Sequence, residues 1–503
     1  MSDFKKKLLS GTLYNYIGFI TNAIIGFFTL RLIVNSISVK EYGNYTTFLT
    51  TFEYCIMFLG FGTYSALYRY SSELISLKSY RLLKKFIINT LMFQFAASLT
   101  GVIILYIFKE KYLDLFDLHN GANCMPFVFL LMTVQILNIS AFELYESMLM
   151  QKIKNIVEII YVTVKLGGLY LVYSHKADLY STMMVYFWTT IFWTMLNYVF
   201  IIKRFRKLPS TDEKESPNFL SRVKRFAIFS YTDIIGDSIV GLGFDILIVS
   251  NILGASSTGL YSFAVGTVRM IFKMLPINIC YQVIKSIMIQ KYSIEKNQKT
   301  LSDFFNSYLK LNFFFTIPII WGGFLFGKDI IILIFKPDYI SSFPVMCVAL
   351  ISIGLFYSFW NPLCSLLAVL ERPDISFYSK IFVFFNLAAG IIMTKQMGII
   401  GPIIATGLTY FFTISMQLIL LKKNIMIEIP WLSFIKINLN SGIMTVIMFC
   451  LTLCCPVSNN FLLIAYIAAG SLLYFAISFF NKVFNEQEKD FINSILKINL
   501  FKF

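Results

Sequence analysis

Residues 36–48 read SISVKEYGNYTTF and residues 252–264 read ILGASSTGLYSFA. Each stretch closes an apolar run, makes a short break and opens the next run on a G-x-Y element. Gly43 and Tyr45 fall on Gly259 and Tyr261, and the same offset sets Ile37 on Leu253 and Glu53 on Arg269. A chain that repeats a helix start in this way is expected to consist of two related halves, a common plan among membrane transporters.

Composition agrees with a membrane setting. Of 503 residues, 57% are hydrophobic, 17% aromatic and only 14% charged, with a mean hydropathy of +0.71. A soluble chain is roughly 45–50% apolar and about 25% charged, so a water-soluble fold is excluded. A span needs about 20 mostly apolar residues. Windows of that kind predict an all-α integral membrane protein of about 14 transmembrane helices, centred near residues 22, 56, 97, 136, 165, 190, 238, 271, 315, 356, 386, 410, 446 and 470. The expected organisation is a first six-helix lobe at 1–202 and a basic linker at 203–225. A second six-helix lobe at 226–421 follows, then two further helices at 422–480 and a tail at 481–503.

The net charge of +16 is high for so apolar a chain. Counting Lys and Arg in alternate breaks gives roughly 29 against roughly 7, and the basic side is the cytoplasmic one. Both termini are therefore expected in the cytoplasm, with the first apolar run retained as a span and not removed as a leader. In the tail, Phe484, Phe491, Ile492, Ile495 and Ile498 stand at near-helical spacing, which suits either a helix on the inner leaflet or a disordered end.

The breaks leave no room for a soluble catalytic domain, so an enzyme is not expected. GGFLFGKD at Gly322–Asp329 fits GxxxxGK but ends on Asp where a magnesium-binding hydroxyl belongs, and it follows a helix instead of a strand. The eight Cys read as buried small apolar residues, and His119 and His175 stand apart from any Cys pair. Neither a metal nor a cofactor is expected.

Ionisable residues inside the spans are the remaining candidates: Arg31, Glu53, Glu143, Lys165, Asp233, Asp237, Asp245, Arg269, Lys273 and Lys310. On a lipid-facing surface each would cost about 2.5–3.5 kcal/mol, so they imply a hydrated interior. Arg31, Lys165, Arg269, Lys273 and Lys310 are expected to line a cationic cavity for an anionic substrate, although Arg31 and Lys310 lie near span ends where snorkelling would serve as well. Glu53, Asp233, Asp237 and Asp245 are candidates for pairing those cations or carrying a coupling ion. The Phe and Tyr content reads as lipid-facing surface, and nucleic acid is not an expected partner.

With these residues in view, the chain resembles the polysaccharide biosynthesis (O-antigen) flippases of the multidrug/oligosaccharidyl-lipid/polysaccharide (MOP) exporter superfamily. The resemblance rests on Glu41, Tyr42, Gly43 and Tyr45, on GFGTYSALYRYSSE from Gly60, and on LGASSTGLYSFA with Asp245 ahead of it. It continues through IIILIFKPDYISSFPVMCVAL before LLAVLERPD, and MGIIGPIIATGLTYF from Met397. It implies a MOP/MATE-like pair of six-helix lobes with two extra C-terminal helices, working by alternating access. The implied substrate is a polyprenyl-diphosphate-linked oligosaccharide, turned across a bacterial inner membrane for O-antigen, lipopolysaccharide or capsule synthesis. Membrane lipids and a polymerase of the same pathway are the implied partners. By the same resemblance Arg31 and Arg269 stand where related proteins hold the diphosphate, while Lys336 and Pro337 depart from the family pattern. A multidrug/cation antiporter of the same superfamily is the main alternative, and a membrane glycan polymerase is a more distant one.

Overall fold

The computed structural model describes residues 2–207, 219–239, 241–279, 296–422 and 429–484, with isolated positions at 281–292 and 486–489. Side chains are described from Gly18 onward, and those of Asp233 and Asp237 lie outside the described ones. Among the described residues every regular element is a helix. They form two compact units, Met1–Gly259 and Leu260–Phe503.

In the first unit, α1 is Ser2–Ser36, α2 Val39–Leu59, α3 Thr63–Ser76, α4 Tyr80–Ile107 and α5 Lys109–Phe116. Then come α6 (Met125–Ser147), α7 (Gln151–Tyr173), α8 (Leu179–Arg206), α9 (Phe219–Ile239) and α10 (Leu242–Lys273), the last of which runs on into the second unit. The described ends of the basic segment at 203–225 are helical, 203–206 ending α8 and 219–225 beginning α9, while 208–218 lie outside the described residues.

Local chemistry sets the helix starts. Ser38 and Glu41 form a reciprocal capping box at α2, satisfying backbone donors at the first turn. Gly62, at φ 68°, turns the chain between α2 and α3, a left-handed conformation that glycine adopts without steric cost. The Ser181 N–H donates to Asp178 at 2.8 Å to cap α8. Burial pushes the Asp178 carboxyl up, but bonds from Lys176 and Ser181 outweigh it and hold the group below the usual carboxylate range. Such a cap contributes stability above the ordinary carboxylate pKa and loses it as acid protonates Asp178.

Buried amides and hydroxyls tie the bundle together where lipid supplies no partner. Gln94 Nε2 donates to Thr63 at 2.8 Å while its Oε1 accepts from Ser140, joining α4 to α3 and α6. The Asn197 amide donates to Asn138 at 3.0 Å and its backbone carbonyl accepts from the Tyr145 hydroxyl at 3.0 Å. Asn197→Ala leaves the buried Asn138 oxygen without its donor. That should cost about 1–3 kcal/mol, read as a lowered thermal midpoint in detergent.

The sequence echo has a counterpart in the packing. In α10, Gly254 is non-helical at φ 78° and ψ 179°, so a second helical run starts at Ala255 just as α2 starts at Val39. The two starts cross on their glycines. A methyl group at Gly43 would collide with the Ala255 carbonyl and come within 2.8 Å of the Gly259 nitrogen; one at Gly259 would collide with the Val39 carbonyl and come within 3.0 Å of the Val39 side chain. Each glycine therefore lies over the first residue of the other helix. Thr47 donates to Ser250 at 3.1 Å beside this crossing. Small residues of this kind let helix backbones approach closely in a membrane.

In the second unit, α11 is Pro276–Ile279, α12 Gln298–Asp329, α13 Phe343–Val369, α14 Pro373–Ser379, α15 Phe382–Met397, α16 Gly401–Lys422, α17 Trp431–Cys454 and α18 Asn460–Phe480. The Walker-like GGFLFGKD lies inside α12, so it cradles no phosphate. Eleven described stretches, not fourteen, are long and apolar enough to cross a membrane. One of them, Asp374–Lys422, contains both α15 and α16, and the expected centres near 56 and 238 fall on α2 and α9, which do not qualify.

Candidate functional site

The polar interior of the first unit is built on α7. Lys154, Glu158, Tyr161 and Lys165 recur at steps of four, three and four residues, which sets them on one stripe of an otherwise apolar helix. Asn22 of α1 hydrogen-bonds Glu158, and Gly18 lies against Asn155, so α1 runs alongside α7 in the same direction. Lower on the stripe Lys154 pairs with Glu146 at 2.6 Å and lies over the Phe142 ring.

At the upper end, Lys165 stands with its Nζ 4.0 Å from the centroid of Tyr186 on α8. Tyr161 stacks on Trp193 at 4.3 Å and hydrogen-bonds Thr190 and Tyr186. Glu53 and Tyr45 of α2 close the group: Glu53 is near enough to act electrostatically on Lys165, Tyr45 and Tyr186. A fixed cation over an aromatic bed, with a carboxylate across from it, can hold an anionic group beside the apolar face of a ring. The sequence reading assigns the aromatic residues of this group to lipid-facing surface. For Tyr161 the available signal is its spacing, three residues after Glu158 and four before Lys165.

The other expected cations are distributed differently. Arg31 is half-buried on α1, about 180° around that helix from Asn22, so it faces away from α7 and Lys165. Arg269 and Lys273 are exposed, one turn apart on the part of α10 that belongs to the second unit. Asp245 is fully buried at the start of α10, and Glu143 is half-buried on α6.

Lys310 departs most from expectation. It is only 4% exposed, donates to Glu488 of the tail at 2.7 Å, and lies 5.1 Å from the Phe484 ring. Phe484 in turn packs edge-on against Phe314. The described part of the tail is thus packed onto α12, and Lys310 is committed to a carboxylate; Phe491, Ile492, Ile495 and Ile498 lie outside the described residues. Glu488→Gln would leave a buried ammonium without its counter-charge, a loss of about 3–5 kcal/mol. The expected readout is faster proteolytic trimming of the tail in the purified protein.

The many helices long and apolar enough to cross a membrane, with polar groups gathered inside the first unit, define a multi-pass helical membrane architecture. The chain belongs to the family described as "Polysaccharide biosynthesis protein", whose model matches residues 8–279. No curated protein matches it. Among solved structures it is similar to the lipid II flippase MurJ in an inward closed conformation, at 18% identity and a TM-score of 0.74, covering 95% of this chain and 100% of that one. It is also similar to an inward-facing multidrug resistance MATE family transporter of the MOP superfamily, at 10% identity and TM-score 0.65, covering 80% and 96%. A third is a MOP superfamily transporter from Pyrococcus furiosus, at 11% identity and TM-score 0.56, covering 82% and 95%. The fold is that of the MOP transporters.

Proposed function

We propose that the protein is a flippase that carries a polyprenyl-diphosphate-linked oligosaccharide from the cytoplasmic to the outer leaflet of a bacterial inner membrane, for O-antigen, capsule or a related surface glycan. The observation that carries this reading is Lys165, a fixed cation held among Tyr161, Tyr186 and Glu53 inside the bundle. Family membership supports a role in polysaccharide synthesis. A diphosphate cannot cross bare hydrocarbon, because an unpaired buried charge is prohibitively costly. Fixed cations in a hydrated cleft replace the lost water, while the polyprenyl chain stays in lipid. Tyrosine faces beside Lys165 suit the apolar faces of sugar rings, and Arg269 with Lys273 offers a second cationic pair. Access alternates between the two sides without covalent chemistry, and both termini are cytoplasmic by the charge rule.

The test is genetic. Arg269→Ala should abolish surface polysaccharide while the protein still inserts at normal levels. Normal polysaccharide in that variant would remove Arg269 from the pathway. A deletion strain that keeps its glycan but becomes drug-sensitive would point instead to a multidrug antiporter.

A further inference from the structure

A cavity of about 1030 Å³ lies within the first unit between α4 and α9. On α4 it is lined by Lys85, Asn89 and Phe93, and on α9 by Phe219, Lys224 and Ile228, among others. The α4 residues recur every four positions, so they form one stripe, and Lys224 and Ile228 repeat that spacing on α9. Each lysine stands about 8 Å along the axis from the first described residue of its helix. Deeper in the groove Phe93 lies about 12 Å beyond Lys85 and Ile228 about 6 Å beyond Lys224.

Two arginines nearby are already engaged. Arg222 makes a two-point contact with Glu73 at 3.1 Å, and Arg69 lies over the Phe226 ring. Among the described residues Lys85 and Lys224 have no carboxylate partner. The groove therefore offers two ammonium groups and the Asn89 amide at its mouth, and aromatic and aliphatic side chains below. This polarity gradient matches an anionic lipid standing in a leaflet, with its phosphate at the lysines and its acyl chains along Phe93 and Ile228. Both lysines belong to breaks that the charge rule assigns to the cytoplasmic side, where the leaflet is negatively charged.

We propose that this groove is a binding site for an anionic glycerophospholipid of the inner leaflet. The proposal is independent of the transported substrate. Native mass spectrometry of the purified full-length protein, titrated with phosphatidylglycerol or phosphatidylethanolamine, tests it. The unaltered protein should retain phosphatidylglycerol at least tenfold better than phosphatidylethanolamine. Lys85→Gln with Lys224→Gln should remove that preference, Asn89→Trp should block both lipids by filling the groove, and Lys84→Gln, outside the lining, should change nothing. Equal retention of the two lipids by the unaltered protein, or an undiminished preference in the double variant, would overturn the proposal. Displacement of phosphatidylglycerol by substoichiometric polyprenyl diphosphate would also overturn it, marking the groove as an entry site for that lipid instead.

Discussion

Gly43→Leu should abolish the crossing of α2 with α10 and reduce surface polysaccharide at least tenfold. The obstacle is backbone: any side chain at this position meets the Ala255 carbonyl and the Gly259 nitrogen, and a main chain has no rotamer by which to yield. Overpacking typically costs about 1–3 kcal/mol when side chains can adjust; here the helices themselves must separate. The crossing follows the end of α1, which the charge rule sets on the outer side, so its loss is expected to leave that side unsealed. Thr47 and Ser250 supply the gauge, since their hydroxyl oxygens are 3.1 Å apart. In a cysteine-free background, Thr47→Cys with Ser250→Cys should cross-link under mild oxidation, because the side chains are close enough for disulfide geometry. Adding Gly43→Leu or Gly259→Leu should cut the cross-linked fraction at least tenfold. An unchanged fraction would show that the crossing is not a close contact in the membrane.

Lys165→Met is the second large effect: polysaccharide export should fall about a hundredfold, with normal insertion and a thermal midpoint no lower than that of the unaltered protein. Removing a cation from among Tyr161, Tyr186 and Glu53 relieves desolvation, so folding should not suffer even as an anionic substrate loses its anchor. The variant also leaves Glu53 facing an apolar side chain. Lys165→Met with Glu53→Gln separates the two causes. If the double variant regains export, Lys165 serves only to neutralise Glu53; if it stays inactive, the cation acts on the substrate. Lys165→Arg should retain part of the activity, since the charge is kept but guanidinium geometry differs.

Much of this was legible before any coordinates. Apolar windows located the helices because a bilayer imposes a minimum length on each span, and the echo between Gly43 and Gly259 marked two helix starts. That the starts lie on each other was not legible, because a contact between residues so distant in sequence leaves no local signature. Lys165 stands out in the sequence by its position in mid-span. Its aromatic bed was missed because Tyr and Phe are abundant throughout the chain, and only their spacing relative to Glu158 and Lys165 distinguishes Tyr161. The pairing of Lys310 is hidden for a different reason: its partner Glu488 stands in a polar tail whose packing no periodicity announces. Arg31 illustrates the limit of a span assignment, which sets a charge inside the bilayer without saying which way around α1 it faces.

The central claim is that this chain moves a lipid-linked oligosaccharide between leaflets. The most direct measurement is the leaflet distribution of that intermediate in a strain depleted of the protein, read with a membrane-impermeant reagent that modifies only sugars exposed at the outer face. The account predicts that the intermediate accumulates and is protected from the reagent on depletion, and becomes accessible again when the unaltered protein, but not Lys165→Met, is restored. An intermediate that is equally accessible with and without the protein would contradict it.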